Sequence, residues 1–184
     1  MTTGLPRFEA VIEDHHDEIY RYLWRMLAEG RADRSLEAED LTQETFLKAY
    51  QAYHRLRPDS NVRAWLYRIA TNNAISGIRY QNRRGGTYLD LDSAGEIIPD
   101  KGETPEEHAL VLELLGSIEG SVKALPPKQQ AAFILRYLQD LSYEEIADTL
   151  ECSGESARAN VYQALRTLRA QLVPTGIDQE KSYE

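Results

Sequence analysis

Apolar residues in this chain recur at spacings of three and four through two long segments, and neither segment alternates apolar with polar as a half-buried strand requires. That periodicity restricts the fold to packed helices. Phe8, Val11, Ile12, Ile19, Tyr22, Leu23, Met26 and Leu27 predict a first helix over 8–29, with Gly30 placed to end it. A second is expected over 40–56, with Asp40 as its cap and Gln43 at the capping-box position. Its inward stripe would be Leu41, Phe46, Leu47, Tyr50 and Tyr53. After the turn at Pro58, Asp59, Ser60 and Asn61, a third helix over 62–84 directs Trp65, Leu66, Ile69, Ala70, Ala74 and Ile78 inward. Its far end is basic and exposes Tyr80.

The periodicity lapses between Gly85 and Glu103, where five acids and Pro99 accompany one lysine; this composition suits a flexible acidic linker. Thr104 as cap, Pro105 at the first helical position and Glu107 completing a capping box then open another helix, which runs to the break at Leu125-Pro126-Pro127. A helix over 127–138 follows. Ser142 caps the next, answered by Glu145, and Ser153 caps a third with Ser156 three positions on. A short helix, a tight turn and a longer, more basic helix describe a helix-turn-helix. A generic helical hairpin is the alternative. The solvent face of the last helix favours DNA binding, because it gathers Arg158, Asn160, Tyr162 and Gln163 with almost no negative charge. The expected fold is therefore all-α: a helical module over 1–84, a linker over 85–104, a helix-turn-helix module over 105–172 and a tail over 173–184.

Composition narrows the function. The single cysteine, Cys152, excludes an internal disulfide and a multi-cysteine zinc site, and it suits core packing in the tight turn. His15 and His16 are adjacent and cannot share a helix face as a ligand pair would. With no Gly-rich phosphate loop, HExxH or nucleophile elbow, the chain is expected to be neither an enzyme nor a cofactor or metal protein. No basic-then-apolar leader precedes Glu9, and no run approaches the ~18 apolar residues of a membrane span. A cytoplasmic protein without direct membrane insertion is expected. The net charge of -9 argues against coating nucleic acid through bulk charge, yet residues 55–84 hold seven arginines against Asp59 alone, for +6. Arg158, Arg166 and Arg169 likewise follow Glu155 with no intervening acid.

Asp40-Leu41-Thr42-Gln43-Glu44-Thr45-Phe46-Leu47-Lys48-Ala49, followed by Arg63-Ala64-Trp65-Leu66-Tyr67-Arg68-Ile69-Ala70 and Asn72, resembles region 2 of bacterial extracytoplasmic-function (group IV) sigma factors. Leu125-Pro126-Pro127-Lys128-Gln129-Gln130, Leu135-Arg136-Tyr137 and Leu141-Ser142-Tyr143-Glu144-Glu145-Ile146-Ala147 resemble region 4 of the same family. The resemblance covers about 8–84 and 105–172. It implies an alternative sigma factor that binds core RNA polymerase and directs promoter-specific initiation. It also implies docking on the clamp helices of the largest polymerase subunit through Asp40, Gln43, Glu44, Phe46 and Lys48, although Phe46 also suits the module interior and Asp40 a helix cap.

For the -10 element, the implied contacts are Arg63, Arg68, Asn72, Asn73, Arg79, Tyr80, Arg83 and Arg84. Arg68 equally suits a pairing with the acidic 1–54 segment, and Trp65, on the stripe of Ile69, is read as core. For the -35 element the implied residues are Ser156, Arg158, Ala159, Asn160 and Gln163, with Arg166 and Arg169 nearer phosphates. The family usually carries basic residues where Asn160 and Gln163 stand, and Asp where Ser76 stands, so weak autonomous DNA binding is expected. Promoter DNA and an anti-sigma factor complete the implied partners. A non-initiating regulator with a sigma-like fold is the alternative from another class.

Overall fold

The computed structural model describes residues 4–27, 34–85 and 119–172, with the side chains of 81–85, Glu119 and Leu172 left aside. Helices α1 (Phe8–Met26), α2 (Arg34–Tyr53) and α3 (Val62–Gly85) build the first module. Helices α4 (Glu119–Lys123), α5 (Pro127–Tyr137), α6 (Tyr143–Leu150) and α7 (Gly154–Leu172) build the second. The expected start at Thr104, the linker, Gly30 and the tail lie outside the described residues.

Helix α1 follows its apolar period: Val11, Ile19, Tyr22, Leu23 and Met26 are all buried. Tyr22 and Tyr67 meet edge-to-face in the core, with ring centroids 5.2 Å apart. A phenol this deep needs a partner, and Thr71 Oγ1 lies 2.6 Å from the Tyr22 hydroxyl. Burial raises the Tyr22 pKa, with the Thr71 bond acting against it.

The second helix corrects two expectations. It begins at Arg34, so Asp40 lies inside it and is no cap. The side chain of Arg34 makes the early start favourable: its Nη2 and Nε donate to the carbonyl of Trp24 over 2.6 and 3.0 Å. Its guanidinium also stacks 3.5 Å over the Trp24 ring. The inward face is Ala38, Thr42, Thr45, Phe46 and Ala49, while Leu47 and Tyr50, expected inside, are 58% and 65% exposed. The threonines disguised that face. Each buries its hydroxyl by donating to a carbonyl four residues back, Thr42 to Ala38 and Thr45 to Leu41, both over 2.7 Å.

Helix α5 is buried nearly all round, with Ala131, Ala132, Phe133, Ile134 and Leu135 fully inside. A helix without a polar face needs neighbours on every side, and α5 has them: α6 and α7 of its own module, and α1 and α3 of the other. Gln130 Nε2 lies 3.3 and 3.4 Å from the carbonyls of Arg25 and Met26, so the second module supplies a donor to the open C-terminal end of α1. The broadest contact between the modules is α3 against α6.

Candidate nucleic-acid interface

Helices α6 and α7 are joined through Glu151, Cys152 and Ser153, and their start signals work as the sequence predicts. Ser142 Oγ accepts from the amide of Glu145 over 3.2 Å, and Glu145 Oε2 accepts from the amide of Ser142 over 2.8 Å. Ser153 Oγ accepts from the amide of Ser156 over 3.1 Å. Glu151 closes α6 in the left-handed region, at φ 52°. That conformation costs a non-glycine residue roughly 1 kcal/mol. Cys152 is half-buried against the core, and burial raises its thiol pKa while Lys128 acts in the opposite direction.

The outer face of α7 carries Glu155, Tyr162, Arg166 and Arg169 exposed, with Ala159 half-buried among them. Ser156 is also exposed. Arg158 is held back from that face: its Cζ lies 5.2 Å from the Tyr143 ring, which Arg136 also approaches to 4.9 Å. Its Nη2 stands 4.0 Å from Glu144. Asn160 donates to the carbonyl of Ser156 over 2.9 Å, and Gln163 Oε1 accepts from Gln129 over 3.1 Å. These two neutral side chains are tied within the module.

The basic face of α3 divides in a similar way. Asn72, Arg79 and Tyr80 are exposed. The side chains of Arg83 and Arg84 lie outside the described residues. Asn73 is buried, its Oδ1 accepting from Lys48 Nζ over 2.6 Å and its Nδ2 donating to Thr45 over 3.0 Å. Trp65 packs against the core with Tyr53 at 6.1 Å, as its position on the Ile69 stripe predicts.

Arg63, rather than Arg68, meets the acidic first segment. Its Nε donates to Glu18 Oε2 over 3.0 Å, and its Nη2 donates to the carbonyl of Gln139 over 2.9 Å. Burial opposes the Arg63 charge, but the bond to Glu18 and the neighbouring acids raise its pKa on balance. Arg68 pairs with Glu151 of the second module.

Along α2, Leu36, Asp40, Gln43, Leu47 and Tyr50 form an exposed stripe at helical spacing, with Glu44 beside it. Phe46 faces the other way, 7% exposed, with its ring 6.0 Å from His16. Lys48 lies within 2.7 Å of Glu44 as well as reaching Asn73. Sequence reasoning missed Leu36 as a surface residue. It also missed Asn61, Gln139, Glu145 and Glu151 as groups that join the modules, and Glu18 as the partner of Arg63 and Tyr67 within the first, because a bond between residues distant in sequence leaves no periodic trace. Among the described residues, no three His, Cys, Asp or Glu are grouped to hold a metal ion, and no helix is long and apolar enough to cross a membrane.

The family model for Sigma-70 region 2 matches residues 11–84, and that for Sigma-70, region 4 matches 115–168. The chain is 32% identical to the ECF RNA polymerase sigma factor SigW of Bacillus subtilis, over 90% of this chain and 88% of the relative. It is 33% identical to the ECF RNA polymerase sigma-E factor of Escherichia coli, over 75% of each. The fold is similar to that of the sigma factor RpoE of Bartonella quintana, solved with the anti-sigma factor NepR, at a TM-score of 0.65 and 21% identity, covering 92% of this chain and 98% of that one. The chain belongs to the extracytoplasmic-function (group IV) branch of the bacterial sigma-70 family.

Proposed function

We propose that this chain is a promoter-specificity subunit: it binds core RNA polymerase and directs initiation without catalysing a reaction itself. One observation carries the reading. Both family regions are present in order, and each coincides with a group of consecutive helices.

In this reading the exposed stripe of α2 docks on the clamp helices of the largest polymerase subunit. Apolar Leu36, Leu47 and Tyr50 supply the area, while Asp40, Gln43 and Glu44 supply a polar rim. Phe46 and Lys48 act from behind, by fixing α2 within its module. The face of α3 handles the -10 element: arginines hold phosphates, and Tyr80 offers a stacking surface to an unpaired base. Asn72 is free to reach a base edge, whereas Asn73 supports the helix. Helix α7 enters the major groove at the -35 element, with Ser156 and Ala159 nearest the bases, Arg158 swinging out from its seat on Tyr143 to reach them, and Arg166 and Arg169 toward phosphates. The working compartment is the cytoplasm, on nucleoid-bound polymerase. An anti-sigma factor covering these surfaces is the expected regulator, as NepR accompanies the Bartonella relative.

Run-off transcription with core polymerase tests the reading. Open complexes and transcripts that require this chain support it. Core binding without open complexes would replace it with a non-initiating regulator, a reading favoured by the internally bonded Asn160 and Gln163.

A further inference from the structure

The polar side chains in the early turns of α7 are, with one exception, already engaged inside the protein. Ser156 Oγ lies 3.0 Å from Ser153 Oγ, and Asn160 donates to the carbonyl of Ser156. Arg158 is drawn back onto the Tyr143 ring, with its Nη2 4.0 Å from Glu144. Glu155 is the exception. It is exposed, and it makes no hydrogen bond or ion pair among the described residues.

Its place along the helix gives that carboxylate a target. Glu155, Ala159, Tyr162, Arg166 and Arg169 follow one another at spacings of four and three, and so form one outer stripe. A recognition helix brings the N-terminal end of such a stripe to the base edges. The two arginines at the far end then fall toward phosphates, and Glu155 falls toward the bases. Ala159, one turn on, carries only a methyl group, which lets the helix lie deep in the groove.

We propose that Glu155 is a specificity-determining residue that selects a cytosine in the -35 element. The inference rests on the assignment of α7 to that element. An ionised carboxylate only accepts hydrogen bonds. In the major groove guanine presents the acceptors N7 and O6, and thymine presents the acceptor O4, so both repel it. Adenine sets its N7 acceptor beside the N6 donor, whereas cytosine presents the N4 donor with no acceptor of its own beside it. Glu155 thus works by exclusion. Its charge weakens binding near phosphates for every sequence, and weakens it least where a cytosine amine receives the carboxylate. A recognition helix whose free group in the first turn is an acceptor discriminates strongly while binding weakly, in keeping with the net charge of -9.

The test mixes the full chain with core polymerase and selects bound molecules from a pool of DNA duplexes randomised over the upstream element. Low salt is used, where phosphate contacts are strongest. Sequencing of the bound duplexes reads the base preference at each position, and circular dichroism checks that each variant folds. The wild-type chain should favour cytosine over guanine and thymine by about tenfold at one position. Glu155→Gln should shift that position to adenine, whose N6 and N7 match a side-chain amide. Glu155→Ala should leave it without preference. Asp148→Asn, which removes an exposed acid from α6 instead, should keep the cytosine. A carboxylate that only complements the helix dipole would leave the base preference unchanged in both Glu155 variants while lowering their melting temperature. That result overturns the proposal and leaves the assignment of α7 standing. A pool with no enriched base at any position overturns both. Binding is the readout, so a complex that selects the cytosine yet forms no transcript would overturn initiation as the function and uphold the reading of Glu155.

Discussion

Helices α2 and α3 both present surfaces suited to partners, but the two surfaces differ in what already touches them. On α2, Leu36 and Leu47 are each 58% exposed and Tyr50 is 65% exposed. On α3, Arg63 and Arg68 are bonded to groups of the second module. The difference follows from side-chain chemistry. Once Ala38, Phe46 and Ala49 fill the inner face of α2, its outer leucines have no apolar site left within the module. A guanidinium on a long flexible stem finds an internal acceptor readily. Residue type identifies a partner-facing surface, but geometry decides whether that surface is open.

The adjacent residues Phe46 and Leu47 allow the sharpest test of this contrast. Phe46→Ala should destabilise the first module by about 3–5 kcal/mol, the usual cost of emptying a buried aromatic site. Leu47→Ala should leave stability within about 0.5 kcal/mol, as exposed substitutions do, yet weaken capture of core polymerase. Denaturant melts and pull-downs on both variants check the pair. A stable Phe46→Ala protein would place that ring outside the core, and normal polymerase capture by Leu47→Ala would remove the docking stripe.

A smaller effect is expected at Arg158. Loss of a base-contacting arginine costs about 1–3 kcal/mol of discrimination, so Arg158→Ala should reduce transcription from a cognate -35 element without reducing core binding. The aromatic contact implies a companion result: Tyr143→Phe should behave as wild type and Tyr143→Leu should resemble the arginine variant. Equal loss of core binding would indicate misfolding. Lys48→Met should cost about 1–2 kcal/mol in a denaturant melt, because buried Asn73 loses a hydrogen-bond partner. A Lys48→Met protein as stable as the wild type would free Lys48 for a direct role in docking.

The sequence was most legible where one local rule governed the outcome. The capping box at Ser142 and the cap at Ser153 could be read directly, because each joins residues three apart in a helix. The inward stripe of α1 was equally clear, being dominated by large apolar residues, whereas α3 also buries Tyr67, Thr71, Asn73 and Ile75 outside its expected stripe. Legibility failed on α2, where small residues and self-bonded threonines line the core while Leu36, Leu47 and Tyr50 face out. It failed again at the candidate site. Charge distribution located the basic face of α3, but the availability of Arg63 and Arg68 depends on Gln139 and Glu151, more than seventy residues away.

The junction between α3 and α6 also supports a prediction about pH. The Glu145 carboxylate accepts from the backbone and hydroxyl of Ser142 and from Asn61, with Arg63 nearby, and these partners lower its pKa against the opposing effect of burial. A carboxylate whose pKa is lower in the folded than in the unfolded chain stabilises the fold above the unfolded value of about 4.3. That contribution disappears as pH falls through the folded pKa. Glu145→Gln removes the titration but retains an oxygen for the cap. The wild-type chain should therefore lose thermal stability more steeply than Glu145→Gln below about pH 4.3, and the two curves should run parallel above it. The effect is small beside the loss of Phe46, because the carboxylate remains near solvent. Parallel curves throughout the acid range would mean that protonation of Glu145 leaves the joined caps of α3 and α6 intact.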